Sequence, residues 1–210
     1  MVERALLVGV HASRRDEAQA ASLLEELEDL VGTLGIGIAE AVLVRAPQGN
    51  ARYVMGSGKA AEIMARAAAL ACDCIIFDNN LTPAQQRAWE EESNLTVLDR
   101  EEVILDIFAR RAQTREARLQ VDLARMQYAL PRMARMWRHL DRQGGGAGGG
   151  KGGAGAARGE GEKQIEVDKR LARDRIASLR AEIEEVRRIR ATQRKERVQN
   201  DLPVASIVGY

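Results

Sequence analysis

Apolar positions in the first hundred residues follow two alternating rhythms. Short apolar runs at Ala5 to Val10, Ala39 to Arg45, Cys74 to Phe77 and Leu95 to Leu98 have the length of buried strands. Segments of helical spacing separate them. Ala20, Leu23, Leu27, Leu30 and Leu34 recur at intervals of 3, 4, 3 and 4 and predict a helix ended by Gly35 and Gly37. A second helix is predicted from near Lys59 to about Ala71. A third is predicted after the break at Asp78-Asn79-Asn80, with Thr82 as its cap and Pro83 in the first helical position. The order βαβαβαβ implies an α/β fold, a small parallel β-sheet flanked by helices on its faces.

From Glu101 onward the rhythm is purely helical. Leu119, Leu123, Met126, Leu130, Met133, Trp137 and Leu140 form one heptad seam, and Ile165, Lys169, Ala172, Ile176, Leu179, Ile183 and Val186 form another. Each spans about 32 Å at 1.5 Å per residue. Equal lengths joined by one connection predict a long antiparallel α-helical hairpin, a coiled coil in which Leu140 meets Ile165. Pro131 falls inside the first seam and predicts a kink. Between the seams, eleven of the eighteen residues from Gly144 to Gly161 are glycine, which makes a glycine-rich tip. Such a tip is either a flexible turn or a backbone-rich finger that orders against a partner. The predicted organisation is therefore an α/β subdomain at 1–100, a hairpin at 101–200 with its loop at 141–164, and a further strand beginning at 201–210.

Charge divides the chain at the same place. The 210 residues carry a net charge of only +1, yet residues 1–99 hold 8 basic and 15 acidic side chains, and residues 100–199 hold 24 and 15. The second half is thus suited to a polyanion, or it is a solvated helical surface. No apolar run approaches the roughly 20 residues of a membrane span, no signal peptide is visible, and the two cysteines exclude a disulfide framework, so a reducing, cytoplasmic setting is expected.

Few residues suggest chemistry. Gly56-Ser57-Gly58-Lys59 precedes a predicted helix, where free amides can hold a phosphate, although the same turn also opens an ordinary helix. It is not a Walker A loop, because Tyr53 and Ala60 stand where that motif has glycine and Ser or Thr. Cys72 and Cys74 have no second cysteine pair, and His11 and His139 are distant in sequence, so buried thiols are expected rather than a metal site. Asp78, Asp99 and Asp106 form no recognisable acid–base pair with those histidines. The apolar run Val204 to Val208 delivers Gly209 and stops at Tyr210, either as a docked tail or as the start of a phosphate-loop strand.

Several stretches together resemble the HflX family of ribosome-associated GTPases. They are Gly56 to Lys59, Leu81-Thr82-Pro83-Ala84-Gln85-Gln86-Arg87, Val97-Leu98-Asp99-Arg100 with Ile104 to Phe108, Arg110 to Glu116, Leu119-Gln120-Val121, Leu130-Pro131-Arg132, and Trp137 to Gly146. The pattern R-G-P-G-E-x-Q-x-E of that family is matched from Arg158 to Glu166, with Glu160 in place of proline. The resemblance implies binding to the large ribosomal subunit and its ribosomal RNA, in ribosome splitting, rescue or biogenesis. It also implies GTP hydrolysis with Mg²⁺ in a G domain, of which Gly209 would be the first phosphate-loop residue. The implied RNA-contacting residues are Arg135, Arg138, Arg142, Gln143, Gly144, Gly145, Gly146, Lys151 and Arg158. No cofactor is expected in this chain itself, and it is expected to be inactive in GTP hydrolysis. An ATP-binding α/β domain that uses Gly56, Gly58 and Lys59, or a structural coiled-coil adaptor, are the readings from other classes.

Overall fold

The computed structural model describes residues 2–47, 52–133 and 156–200. Four strands, β1 (Arg4–His11), β2 (Gly37–Arg45), β3 (Cys74–Phe77) and β4 (Thr96–Asp99), form one parallel sheet in the order β2-β1-β3-β4. The intervening helices are α1 (Glu17–Thr33), α2 (Ser57–Ala69) and α3 (Pro83–Ser93). After β4 come α4 (Arg100–Arg111), α5 (Arg115–Ala129), a 3₁₀ turn at Leu130–Arg132 and α6 (Ala156–Gln199). The small parallel sheet with covering helices is thus present as expected.

Strand periodicity divides the core into two. Leu6, Val8, Ile75, Phe77 and Val97 face α2 and α3, where Trp89 is fully buried beside the Phe77 ring at 4.9 Å. Ala5, Leu7, Cys74 and Ile76 face α1 and α4. This arrangement follows from right-handed crossovers, since the chain reverses direction after β2 and its helices change faces. Val103 and Ile107 of α4 belong to the second core, so the sheet keeps its cover past the change of rhythm at Glu101.

In α1 the stripe that meets the sheet is Leu24, Leu27, Val31 and Leu34, whereas Ala20, Leu23 and Leu30 lie half-buried on its shoulder. Leu27 and Leu34 thus hold their predicted places, while Leu24 and Val31 take the buried positions in place of Leu23 and Leu30. A Cβ on Gly9 would lie 3.0 Å from the Leu43 side chain, tighter than an ordinary contact, and 3.5 Å from Leu24, an ordinary one, so the glycine chiefly makes room for Leu43.

α1 and α2 end in the same motif with different residues. The amide of Ile36 bonds the Val31 carbonyl while Gly35 sits at φ +73°, and the amide of Cys72 bonds the Ala67 carbonyl while Ala71 sits at φ +52°. Glycine holds a left-handed backbone without strain, and alanine does so at a cost. Ala71→Gly is therefore expected to stabilise the protein by about 1 kcal/mol. A denaturation midpoint that stays put or falls would remove this explanation.

Pro131 changes the helix type. It has no N–H to offer the Gln127 carbonyl, and α5 gives way at Ala129 to the single 3₁₀ turn, after which Met133 is helical again. Along α6, Leu179 and Ile183 are buried against Leu119, with Leu123, Met126 and Val186 half-buried around them. Arg190 pairs with Glu116 at 2.6 Å, and Leu130 shares a surface with Arg173 and Ile176, so α5 and α6 run antiparallel. The seam residues Trp137 and Leu140, and the side chain of Ile165, lie outside the description. α6 begins at Ala156, inside the stretch 141–164 expected to be loop. Ala156, Ala157, Arg158 and Glu162 to Gln164 are good helix formers and outweigh the glycines among them.

Candidate functional site

Three places in the described structure carry polar groups in unusual settings. The first is the turn before α2. Gly56 caps the helix in an extended conformation, and the surface beside it is lined by Arg45, Ala46, Pro47, Met55 and Lys59. Val54, two residues earlier, has φ +67°, a strained value for a β-branched residue. Two cations and the free amides of a helix N-terminus suit an anion. Lys59, however, is held by both carboxylate oxygens of Glu62 at 2.8 Å. The donor set does not fit Mg²⁺, since neither basic side chain nor amide can coordinate it, and the described residues contain no group of three or more His, Cys, Asp or Glu able to hold a metal.

The second place is the carboxyl end of the sheet between β1 and β3, where the strand order reverses and open α/β sheets bind ligands. Here the crevice is filled by the protein. The Asn79 side chain accepts from the Val10 amide at 2.8 Å and donates to the Val10 carbonyl at 3.0 Å. Arg100 spans Asp78 and Glu26, both at 2.7 Å, and donates to the Leu23 carbonyl at 3.1 Å. The arrangement ties α1 to the end of β3 and leaves the switch point structural.

The members of the third place are spread over some fifty residues of sequence, from Leu81 to Arg132. Asp99 is fully buried at the end of β4. Its Oδ1 accepts from the Glu102 amide and the Tyr128 hydroxyl, each at 3.0 Å, and its Oδ2 accepts from the Leu81 amide at 3.1 Å and from Arg132 at 3.4 Å. Arg132 also donates to the Leu81 carbonyl at 2.8 Å, to Gln86 Oε1 at 2.9 Å and to the Tyr128 carbonyl at 3.1 Å, with its guanidinium 3.6 Å from the Tyr128 ring centre. Gln86, also fully buried, donates to the Val97 carbonyl at 2.6 Å. The stretches Leu81 to Arg87, Val97 to Arg100 and Leu130 to Arg132, which carried the family resemblance separately, thus converge on one buried network. It fastens the end of α5 to the sheet.

Burial raises the Tyr128 phenol above its usual range, helped by the Glu102 and Asp99 charges, and burial also raises the Cys72 and Cys74 thiols. Both thiols are buried in the interior, as expected. All three groups are held protonated in the folded state, so the stability they contribute is complete below their unfolded values of 9.0 and 10.0 and is lost progressively as pH rises from those values toward the raised folded ones. The denaturation midpoint should therefore fall above about pH 9. A midpoint flat to pH 11, about two units above the free thiol value, would contradict this.

The residues implied as RNA contacts are mostly outside this geometry. Arg135, Arg138, Arg142, Gln143, Gly144, Gly145, Gly146 and Lys151 lie outside the described residues, as does Gly209, and Arg158 falls in the first turns of α6. No helix of the described structure is long and apolar enough to cross a membrane.

Residues 21–109 match the family model for a GTP-binding GTPase N-terminal region, and residues 111–197 match that for a GTP-binding GTPase middle region. The chain is 60% identical over all its 210 residues to the GTPase HflX of Akkermansia muciniphila and covers 48% of that protein. It is 37% identical over 208 residues to the GTPase HflX of Escherichia coli K12, with 99% of this chain and 46% of that protein covered. It therefore spans about half the length of these curated relatives. The fold is similar to a crystal structure described as SsGBP in complex with GDP, with a TM-score of 0.58 and 20% identity over 91% of this chain and 46% of the other. It is also similar to a GTP-binding protein from Sulfolobus solfataricus in complex with GDP, with a TM-score of 0.53 and 19% identity over 89% and 46% of the two chains. Two adjoining family regions that together take in most of the chain, and relatives alike along nearly all of it, give one assignment: the chain belongs to the HflX family, of which it carries the N-terminal and middle regions.

Proposed function

We propose that this chain is the ribosome-binding portion of an HflX-type GTPase, associating with the large ribosomal subunit in ribosome splitting, rescue or biogenesis. The observation that carries the reading is the joining of this family assignment to the excess of nine positive charges in residues 100–199. In this reading α5 and α6 belong to a coiled-coil hairpin with a glycine-rich tip. Arg142, Gln143 and Gly144 to Gly146 approach bases and sugars of ribosomal RNA, while Arg135, Arg138, Lys151 and Arg158 meet phosphates. Glycine permits a closer backbone approach than any side-chain-bearing residue. Hydrolysis of GTP with Mg²⁺ is assigned to the G domain of the whole protein, in the cytoplasm, because phosphoryl transfer needs a phosphate loop and no stretch here satisfies G-x-x-x-x-G-K-[ST].

Binding of the 210-residue chain to large ribosomal subunits, measured across a salt series, tests this. Affinity should fall steeply with salt, by roughly tenfold or more between 50 and 200 mM if several phosphates are neutralised. Arg142→Ala should weaken binding at every salt concentration, and the chain should show no GTP turnover above blank. Salt-independent binding, or none, would remove the electrostatic basis of the reading.

A further inference from the structure

Among the described residues, α5 is covered on one flank and open on the other. Toward α4 its Arg125 pairs with Asp106 at 3.0 Å. On the opposite flank a groove runs between α5 and α6, continuous through Gln127 and Arg180, which line both of its halves. Its floor is apolar. Leu123 and Leu130 of α5 and Ile176 and Ile183 of α6 contribute side chains to it, and the two α5 leucines are only half-buried. Two helices cannot close both flanks of a heptad seam, and small residues, Ala124 and Ala177, keep this one open.

The wall on α6 carries three arginines and one carboxylate, Glu184. Arg173, Arg180 and Arg187 stand seven residues apart, hence about 10.5 Å apart along one side of the helix. Arg187 is paired with Glu184 at 2.7 Å and Arg173 with Glu166 at 3.6 Å, while Arg180, at the middle, makes no ion pair among the described residues. We infer that this groove receives an acidic amphipathic helix of a protein partner, with apolar residues on its floor and carboxylates at heptad spacing along the arginine row. Three features select that occupant. A second copy in two-fold symmetric register would set Arg180 against Arg180, like charge on like. A nucleic-acid strand carries its charges about every 3.4 Å and is held by stacking on aromatic rings, which the lining of this groove lacks. A helix that repeats every seven residues matches both the spacing and the apolar floor. These residues are distinct from the stretch Arg142 to Gly146 to which RNA contact is assigned.

The probe is a fluorescent synthetic peptide of about three heptads, with leucine at the seam positions and glutamate once per heptad on the flank. A scrambled peptide of the same composition controls for charge alone. The amphipathic peptide should bind the 210-residue chain at least about tenfold more tightly than the scrambled one. Arg180→Glu should weaken it by about tenfold, and a peptide with lysine for glutamate should recover binding to that variant. Ala177→Leu, which fills the groove from an exposed position, should also weaken it while the denaturation midpoint stays unchanged. Equal binding of the two peptides, or indifference to both substitutions, overturns the inference. So does self-association abolished by Arg180→Glu, or an oligouridylate that binds through Arg180 when the peptide does not.

Discussion

Replacing Asp99 by alanine is expected to destabilise the protein by about 3 to 5 kcal/mol, which places it among the most damaging single substitutions in the chain. The carboxylate itself is not the main loss. Removing it leaves Arg132, whose side chain is only 12% exposed, without its opposite charge, and it strips acceptors from the Leu81 and Glu102 amides at once, while the Tyr128 hydroxyl keeps only Glu102 Oε2 at 3.1 Å. Asp99→Asn tests the cause, because it preserves shape. The amide turns an N–H toward groups that themselves donate, so a loss of about 2 kcal/mol remains even with packing intact. Arg132→Ala should cost a comparable amount to Asp99→Ala, and the double variant should cost much less than the sum, since the two groups act as a unit. Urea denaturation of the three variants decides the matter. Additive effects, or a loss below about 1 kcal/mol for Asp99→Ala, would show that the network is incidental.

Its position gives this network a role that its stability effect alone does not express. Asp99 ends β4 and caps α4, while Tyr128 and Arg132 bracket the turn that Pro131 imposes. The position of the 3₁₀ turn against the end of the sheet is therefore set by hydrogen bonds of fixed geometry and not by apolar contact, which slides more easily. Limited proteolysis should report the loosening, with cleavage after Arg132 faster in Asp99→Ala than in the parent chain.

Much of this architecture is legible in the sequence because it is local. The run Cys74 to Phe77 and the cap at Thr82 with Pro83 behind it are found where the residues put them, and Gln85 completes a capping box with Thr82. What is missed depends on distant partners. The Asp99 network draws together Leu81, Gln86, Asp99, Tyr128 and Arg132, and the charged and amide side chains among them carry no sign of burial by themselves. Periodicity reports which face of an element is apolar, but a buried charge interrupts that signal and looks like surface. The useful clue was the motifs. Gln86, Asp99 and Arg132 each lie in a stretch that resembled the family, and polar residues in such stretches are candidates for a shared buried contact as much as for a ligand. The implied RNA contacts rest on resemblance alone, because none of their side chains is within the described geometry.

The packing of α5 on α6 yields the second large effect. Leu179 is fully buried at their contact, beside Leu119 and Ile183. Leu179→Asp removes that packing and places an unpaired carboxylate among leucines, for an expected loss of about 4 kcal/mol or more. Ile183→Asp, at 5% exposure, should follow closely. Leu123→Asp should cost less, because that side chain is half-buried beside the open groove and its charge can reach water. The control must carry the same residue type without the burial. Arg125→Asp is unsuitable, since it would remove the ion pair with Asp106 and set two carboxylates together. Ala181→Asp is suitable, because Ala181 is exposed on α6 and the change adds only the weaker helix propensity of aspartate, about 0.7 kcal/mol. Denaturation should rank the losses Leu179→Asp, Ile183→Asp, Leu123→Asp and, far behind, Ala181→Asp. If Ala181→Asp matched Leu179→Asp, the two helices would not be paired through this seam.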